Sequence, residues 1–365
     1  MKNKIIFISS YPEKLKIHGE KTVGGASYTK NLLTNLKKIN RNSDIEVLAE
    51  IFDKKETYEE NGIVVNRIWK RNSISSLIKL TKYLVKTKSK KVIFSFEVYM
   101  FGSLLMNIYF LLMLLILKIA RKNTILIIHQ VVHELKLLYL PFIFLSDKLI
   151  VFEKYFKDIL GNRNKIFFVP HAVEKIKFKA AKIKNNHIKN KFEVLFFGYL
   201  SPYKGIRELT DIWEQKFGNL IIAGGGNPNH MKNKSYVNFV KNIKATGFVK
   251  EKQIPHYFLN SDLVIFPYKK FFSSSGPLSL TFSFEKPFLL SRPLEKYFES
   301  PDFAQALKET GLKKENLIFD LNKKSLEEKL SWARKNLKKL SQFSKIMKEK
   351  RSWEKVAKMY LEVIK

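Results

Sequence analysis

Hydrophobic positions along the chain fall into two alternating patterns. Short runs of β-branched and aromatic residues, typical of buried strands, alternate with longer stretches in which apolar residues recur at helical spacing. In the first half, the runs predict strands at residues 4–9, 44–48, 63–69, 91–96, 124–128 and 148–152, and the longer stretches predict helices at 26–39, 74–86 and 99–120. Strands that alternate with helices predict a mostly parallel, doubly wound sheet.

The same alternation restarts in the second half, after a polar Lys/Asn tract. It predicts strands at residues 192–198, 219–223, 262–267 and 287–291, and helices at 206–217, 252–260, 279–284 and from 323 onward. We therefore predict an α/β chain with two Rossmann-like domains, at 1–172 and 192–345, a linker at 173–191 and a terminal helix at 346–365. Because open parallel sheets bind ligands at the carboxyl ends of their strands, a ligand site is expected in a cleft between the two sheets.

A strongly apolar tract interrupts the first domain at residues 101–117. It is shorter than the roughly 20 residues that a spanning helix needs, and its position between two predicted strands favours a buried helix. A second apolar tract follows at 135–145, and the cations that flank the two tracts are Lys118, Arg121, Lys122, Lys136 and Lys148. Apolar side chains ringed by cations suit a peripheral contact with an anionic membrane surface.

The charge balance narrows the partners. The chain has 67 Lys and Arg against 33 Asp and Glu, a formal net charge of +34, which attracts polyanions in general. No recognisable nucleic-acid-binding module accompanies this charge, so nucleic acid is the least favoured partner. The absence of cysteine excludes disulfide frameworks, thiolate metal sites and cysteine nucleophiles. The first residues lack a signal-peptide pattern, and we expect a cytoplasmic protein, peripheral on the inner face of the cell membrane.

Four loops rich in Gly, Ser or Lys carry the candidate chemistry. They are GGAS at 24–27, FFGYLSPYKGI at 196–206, GGG at 224–226 and SSSGPL at 273–278. Glycines allow a close approach of the backbone, and a helix N-terminus with small hydroxyl residues offers hydrogen-bond donors to phosphate oxygens. Lys204 supplies a point charge that suits a diphosphate. Each loop alone is equally compatible with an ordinary turn or helix cap.

Taken together, the four loops resemble those of glycosyltransferases of group 1, which have the GT-B architecture. The resemblance extends to the Ile128–His129 pair at a strand end and to the segments at 221–226, 246–268, 275–291 and 352–364. It implies two facing Rossmann-like domains and a terminal helix that crosses back onto the N-terminal domain.

The resemblance also implies a site for a nucleoside diphosphate sugar, with no other cofactor and no metal. Lys204, His129 and Gly25 would be the catalytic residues, and Lys204 would also contact the donor diphosphate. The other donor-binding residues would be Gly24, Gly198, Gly224, Gly225, Phe248, Val249, Ser274, Ser275, Gly276, Pro277 and Leu278. Lysine and helix dipoles would replace a divalent cation at the diphosphate.

The sequence departs from the family pattern at two places. Tyr199 stands where an Arg is common, and Phe272 and Leu280 stand where the family carries a pair of glutamates. The donor sugar and the stereochemical outcome are therefore left open. The candidates for a general base by location are Glu97, His129, His133 and Glu134.

The resemblance implies hexosyl transfer to a glycan, a polyprenyl-diphosphate-linked oligosaccharide or a glycolipid, in the synthesis of cell-surface polysaccharide or glycolipid. Two alternatives share the fold. The missing glutamates suit a non-catalytic partner subunit, and a sugar-nucleotide epimerase would want more acidic and His residues near the cleft.

Overall fold

The computed structural model describes residues 4–16, 25–97, 100–131, 133–173, 191–225, 242–271, 273 and 275–365. The chain divides into two compact units. Unit 1 comprises Met1–His171 together with Trp353–Lys365, and unit 2 comprises Ala172–Ser352. Most of the predicted linker at 173–191 lies outside the described residues.

Unit 1 is built on an eight-stranded sheet with the order β3-β4-β2-β1-β5-β6-β7-β8. The strands are β1 Lys4–Ser9, β2 Asp44–Glu50, β3 Thr57–Glu60, β4 Ile63–Trp69, β5 Lys91–Phe96, β6 Asn123–Ile128, β7 Lys148–Val151 and β8 Ile166–Phe168. All neighbours pair in parallel except β3 with β4. The strand order reverses between β1 and β5, and such a switch point is where open sheets bind ligands, at the carboxyl ends of the strands.

The helices of unit 1 that precede unit 2 in the chain are α1 Gly25–Ile39, α2 Ile74–Lys86, α3 Leu104–Ile119, α4 Leu140–Leu145 and α5 Lys154–Ile159. The apolar tract forms α3, and the expectation of a buried helix was wrong for one of its sides. Phe110 and Leu117 are fully buried, whereas the side chains of Leu104 and Ile119 are 68% and 74% exposed. In the part of the chain that the structure describes, none of the helices has both the length and the apolar character needed to span a bilayer.

Unit 2 is built on a six-stranded parallel sheet with the order β11-β10-β9-β12-β13-β14. Its strands are β9 Glu193–Phe197, β10 Asn219–Ala223, β11 Ile243–Gly247, β12 Leu263–Phe266, β13 Phe288–Ser291 and β14 Ile318–Phe319. The order reverses between β9 and β12, so the loops that follow these two strands meet at one edge of the sheet. The predicted loop at 196–206 follows β9.

The helices of unit 2 in the described residues are α6 Ile206–Asp211, α7 Ile254–Asn260, α8 Gly276–Ser283, α9 Pro301–Thr310, α10 Lys314–Leu317, α11 Lys323–Lys335 and α12 Leu337–Lys350. Aromatic rings fill the core beneath them. Phe303 lies 5.6 Å from Tyr297 and 5.7 Å from Phe343, measured between ring centroids. This packing fixes α9 and α12 to the same side of the sheet as α8.

The last helix, α13 Trp353–Ile364, belongs to unit 1, where it packs on α1. The hydroxyl groups of Tyr28 and Tyr360 are 3.1 Å apart, and the Tyr28 and Trp353 ring centroids are 5.1 Å apart. The predicted terminal helix at 346–365 therefore starts too early. Residues 346–350 end α12, and the helical run breaks at Arg351, which pairs with Asp302 of unit 2 at 2.6 Å.

Candidate functional site

The loop after β9 positions Lys204. A short 3₁₀ turn, Pro202–Lys204, is closed by Gly205, which has a φ of 65°. A Cβ atom at Gly205 would lie 1.9 Å from the carbonyl oxygen of Pro267, so only glycine fits between this turn and the end of β12. The glycine thus holds Lys204 against the carboxyl edge of the sheet.

The ammonium group of Lys204 is buried, and no described residue supplies it with a counter-charge. The side chain is only 6% exposed, and its Nζ lies 5.6 Å from the centroid of the Tyr268 ring and 5.9 Å from that of Tyr203. Nζ makes neither a hydrogen bond nor an ion pair with the residues that the structure describes. Burial lowers the pKa of Lys204 to about 8. A buried, unpaired cation is costly, and an anion beside it would offset that cost.

Three glycines, at 198, 224 and 225, lie in the loops at this edge of the sheet. A Cβ atom at Gly198 would lie 3.0 Å from the Nζ of Lys204 and 2.8 Å from Cγ of Pro277. A Cβ at Gly224 would lie 1.8 Å from the carbonyl oxygen of Gly198, and one at Gly225 would lie 2.9 Å from Cβ of Phe248. Gly198 and Gly224 therefore let the loops after β9 and β10 meet next to Lys204, and Gly225 lets the loop after β10 approach Phe248.

The N-terminus of α8 completes this edge. Ser275 is the N-cap, and its Oγ accepts a hydrogen bond of 3.3 Å from the amide of Leu278. Gly276 and Pro277 form the first helical positions, and Pro277 reaches Gly198 as described above. The first amides of a helix carry partial positive charge and attract anions. Ser274 lies outside the described residues, as do Phe272 and Gly226.

Phe248 and Val249 follow β11 with opposite exposures. Val249 is buried, with only 8% of its surface exposed. Phe248, beside Gly225, is 78% exposed. A large exposed ring next to a glycine backbone is suited to stacking on a planar group. Unit 2 thus brings together Gly198, Lys204, Gly224, Gly225, Phe248, Val249, Ser275, Gly276, Pro277 and Leu278 at one edge of its sheet.

Unit 1 brings together Gly25, His129 and Glu97. Gly25 is the first residue of α1, and a Cβ atom there would lie 3.0 Å from Oε1 of Glu97 and 3.4 Å from Cε1 of His129. Glu97 directly follows β5, and His129 directly follows β6. Gly24 lies outside the described residues, and nothing is described of the side chains of His133 and Glu134.

His129 is held in a fixed, neutral state. Its Nε2 lies 2.7 Å from Oγ of Ser95, and its ring packs edge-on against Phe152 at 5.0 Å. Burial, followed by the charge of His171, lowers the pKa of His129 to about 3. The imidazole is therefore neutral at physiological pH, and it acts as a hydrogen-bonding group and not as a cation.

Glu97 is one of the four residues that the sequence offered as a general base by location, and the structure places it beside His129. Its Oε1 is 3.8 Å from Nδ1 of His129, and its side chain is 42% exposed. Desolvation raises the pKa of Glu97, with an opposing effect of nearby Arg71. Arg71 in turn pairs with Glu50 at 2.7 Å.

Sequence reasoning missed Ser95, Arg71 and Tyr268. Ser95 was detectable, because it is the one polar interior residue of the run KVIFSF in β5. The proximity of Tyr268 to Lys204 has no sequence signal. In the portion that the structure describes, His, Asp and Glu side chains do not form a group of three that could hold a metal ion.

Comparisons with known proteins address the fold and the family. Residues 177–281 match the family described as "Glycosyl transferases group 1". No curated protein matches the chain. Among solved structures, sucrose-phosphate synthase from Thermosynechococcus elongatus is 13% identical, with a TM-score of 0.68 over 99% of this chain and 98% of that chain.

Two further structures are similar over nearly their full lengths. A glycosyltransferase from Rickettsia africae ESF-5 is 13% identical, with a TM-score of 0.67 over 100% of this chain and 98% of that chain. HepE from Anabaena, solved in complex with UDP and glucose, is 12% identical, with a TM-score of 0.65 over 99% of each chain. These matches confirm the α/β fold class with two Rossmann-like sheets and the resemblance to GT-B glycosyltransferases of group 1. The family match includes the edge residues from Gly198 to Leu278.

Proposed function

We propose that this chain, with its GT-B fold and its match to group 1 glycosyl transferases, moves a sugar from a nucleoside diphosphate sugar to an acceptor hydroxyl. The acceptor is a glycan, a polyprenyl-diphosphate-linked oligosaccharide or a glycolipid in the synthesis of cell-surface polysaccharide or glycolipid. The reaction takes place in the cytoplasm, at the inner face of the cell membrane. UDP sugars are the first donors to test, because HepE was solved with UDP and glucose.

The observation that carries this proposal is the buried ammonium of Lys204, which lacks a counter-charge among the described residues. A diphosphate placed beside Gly198 would pair with it and would also meet the first amides of α8 at Gly276. Negative charge grows on the diphosphate as the glycosidic bond breaks. A fixed cation and helix-end amides stabilise that charge more in the transition state than in the ground state, which is the requirement for catalysis.

The other residues of this edge suit the rest of the donor. The exposed ring of Phe248 offers a stacking surface for the base, while Gly224 and Gly225 leave room for the chain of atoms between base and sugar. With Lys204 as the cation at the diphosphate, we propose that the reaction needs no divalent metal.

In unit 1 we assign Gly25, His129 and Glu97 to the reacting sugars. Gly25 leaves room for a substrate atom in front of Glu97, and the neutral ring of His129 lies beside that space. Glu97 is half exposed and has a raised pKa, as suits a group that accepts a proton near neutral pH. We therefore place Glu97 first among the candidates for the base.

The test is nucleotide binding followed by turnover. UDP should raise the melting temperature of the protein, with or without EDTA, because a ligand that binds only the folded state stabilises it. A panel of UDP and GDP sugars should then identify a donor whose nucleotide is released. No binding of any nucleotide would refute the donor site, and a need for magnesium would refute metal independence. Binding without release of nucleotide, with any donor or acceptor, would favour a non-catalytic partner subunit.

A further inference from the structure

Helix α3 presents an apolar surface to solvent, which we call the α3 face. It consists of the side chains of Leu104, Leu105, Ile108, Leu112, Leu115 and Ile119, which are between 43% and 74% exposed. At 100° per residue, these six positions fall within about 100° of arc. The opposite side of the helix buries Met106, Asn107, Phe110, Met113, Leu114 and Leu117. The helix is thus apolar on both sides, and only one side is covered by unit 1.

Neighbouring elements enlarge the α3 face. Leu137 and Leu138, in the turn before α4, are 69% and 62% exposed, and Phe144 on α4 is 55% exposed. Helix α4 packs against α3, and Nζ of Lys118 donates a hydrogen bond of 2.9 Å to the carbonyl oxygen of Phe144. A contiguous exposed surface of this kind, unlike scattered single residues, marks a site of interaction.

Three of the described cations, Lys118, Arg163 and Lys165, lie beside this surface. The guanidinium of Arg163 lies 5.0 Å from the centre of the Phe144 ring, and Lys118 and Lys165 are close enough to repel each other's charge. Asp147 is the acidic group that faces Lys165. From residue 72 to residue 131 the sequence has nine Lys or Arg and one acidic residue, Glu97, which lies with the candidate site at the end of β5.

The charge distinguishes the possible occupants of the α3 face. A second copy of the chain would bring the same cations against each other across a symmetric contact, which is unfavourable. A nucleic acid would pair with the cations and leave the leucines and isoleucines in water. An anionic bilayer satisfies both features, since acyl chains accept the apolar ridge while phosphate groups pair with the surrounding cations.

We propose that the α3 face docks onto an anionic lipid bilayer, with α3 lying along the interface and its exposed ridge inserted among the acyl chains. The 16 residues of α3 make it about 24 Å long, enough for a rod that lies in the interface plane. The inference rests on the proposed function only in the choice of the cytoplasmic leaflet. Docking itself would hold whether or not the chain transfers sugar.

The experiment is flotation of the full chain with vesicles of phosphatidylcholine alone or with about one third phosphatidylglycerol. The wild type should float with the anionic vesicles at low salt. It should float much less at high salt, because ions screen the attraction, and with neutral vesicles, because they lack the surface charge. Ile108→Glu should lower the partition coefficient at least about tenfold, since it places an anion where an apolar side chain would enter the bilayer. Met359→Glu, at an exposed position of α13, makes the same charge change outside the α3 face and should leave flotation unchanged.

A second variant guards against misfolding. Leu105→Trp keeps the surface apolar, and its fluorescence should shift to the blue when anionic vesicles are added and be quenched by brominated acyl chains. Absence of flotation with anionic vesicles, or equal losses for Ile108→Glu and Met359→Glu, would overturn the proposal. A dimer that Ile108→Glu dissociates would assign the face to a second copy instead. Release of nucleotide with a water-soluble acceptor should be the same in Ile108→Glu and wild type, so failure of docking and failure of sugar transfer are distinguishable.

Discussion

The titration of Lys204 links nucleotide binding to pH. Its pKa of about 8 means that the empty site holds a partly neutral amine just above physiological pH. A diphosphate beside Nζ favours the charged form and raises the pKa again, so binding must take up protons in that range. The free energy of binding UDP should therefore become less favourable as the pH rises through 8.

The magnitude follows from the two protonation states. If the bound complex keeps Lys204 charged, the affinity for UDP should fall about eightfold between pH 7.5 and 9, and binding at pH 8.5 should take up roughly three-quarters of a proton. Isothermal titration calorimetry in two buffers of different ionisation enthalpy measures both quantities.

Three variants separate this explanation from others. Lys204→Arg keeps a permanent charge, so it should abolish the proton uptake while retaining part of the affinity. Lys204→Ala should lower kcat/KM by an amount that corresponds to about 2.7–4 kcal/mol of activation free energy. This is the loss that accompanies removal of one preorganised hydrogen-bond donor. Lys216→Ala, at an exposed lysine paired with Glu327, should change neither.

In the protein without nucleotide, the free energy of unfolding should change with pH in the opposite direction to the affinity for UDP. Because the folded state lowers the pKa of Lys204 from 10.5, the unfolded chain binds more protons between pH 8 and 10.5, and the free energy of unfolding rises with pH across that window. Lys204→Met should therefore stabilise the empty protein at pH 7, by up to about 3 kcal/mol, while it weakens UDP binding. A UDP affinity that is constant from pH 7.5 to 9, together with an unchanged melting temperature in Lys204→Met, would refute the buried, unpaired ammonium.

Three further predictions test other residues. Gly25→Ala should keep the fold but reduce kcat, because its new methyl group would lie 3.0 Å from Oε1 of Glu97 and would displace that oxygen. Circular dichroism checks the fold, and steady-state kinetics measure kcat. Gly224→Ala should lower the melting temperature by several degrees, because the methyl group would lie 1.8 Å from a backbone oxygen that cannot move freely; thermal unfolding measures this, and an unchanged transition would contradict it. Phe248→Ala should leave stability unchanged, since the ring is 78% exposed, but should weaken UDP binding by about 1 kcal/mol in calorimetry; equal affinity would remove the ring from the base site.

The sequence predicts the central strands well because parallel strands buried on both faces are continuous apolar runs. It misses β3, β8, β11 and β14, which have four, three, five and two residues, because so few positions carry no usable period. It also places the first helical residues of α8 too late, since the cap at Ser275 allows the helix to begin at Gly276. Boundaries of this kind depend on hydrogen bonds and not on hydrophobicity.

The candidate site is also only partly predictable from the sequence. Glycine-rich loops after strands are visible in the sequence, and Lys204 was identified by its place before a helix. The position of Tyr268 beside Lys204 depends on a residue far away in the chain. The α3 tract shows the converse case, because a run of apolar letters does not reveal which side of a helix the rest of the protein covers.

The packing of α13 on α1 has a consequence for synthesis. Most of unit 1 precedes unit 2 in the chain, yet the helix that covers α1 follows unit 2 and is synthesised after it. Domains generally fold in the order of their synthesis. The first sheet can therefore form during translation, but the side of α1 around Tyr28 stays uncovered until α13 has been made. A nascent chain stalled before residue 353 would therefore expose a hydrophobic surface that chaperones recognise, and docking of α13 on α1 would be the step that covers it.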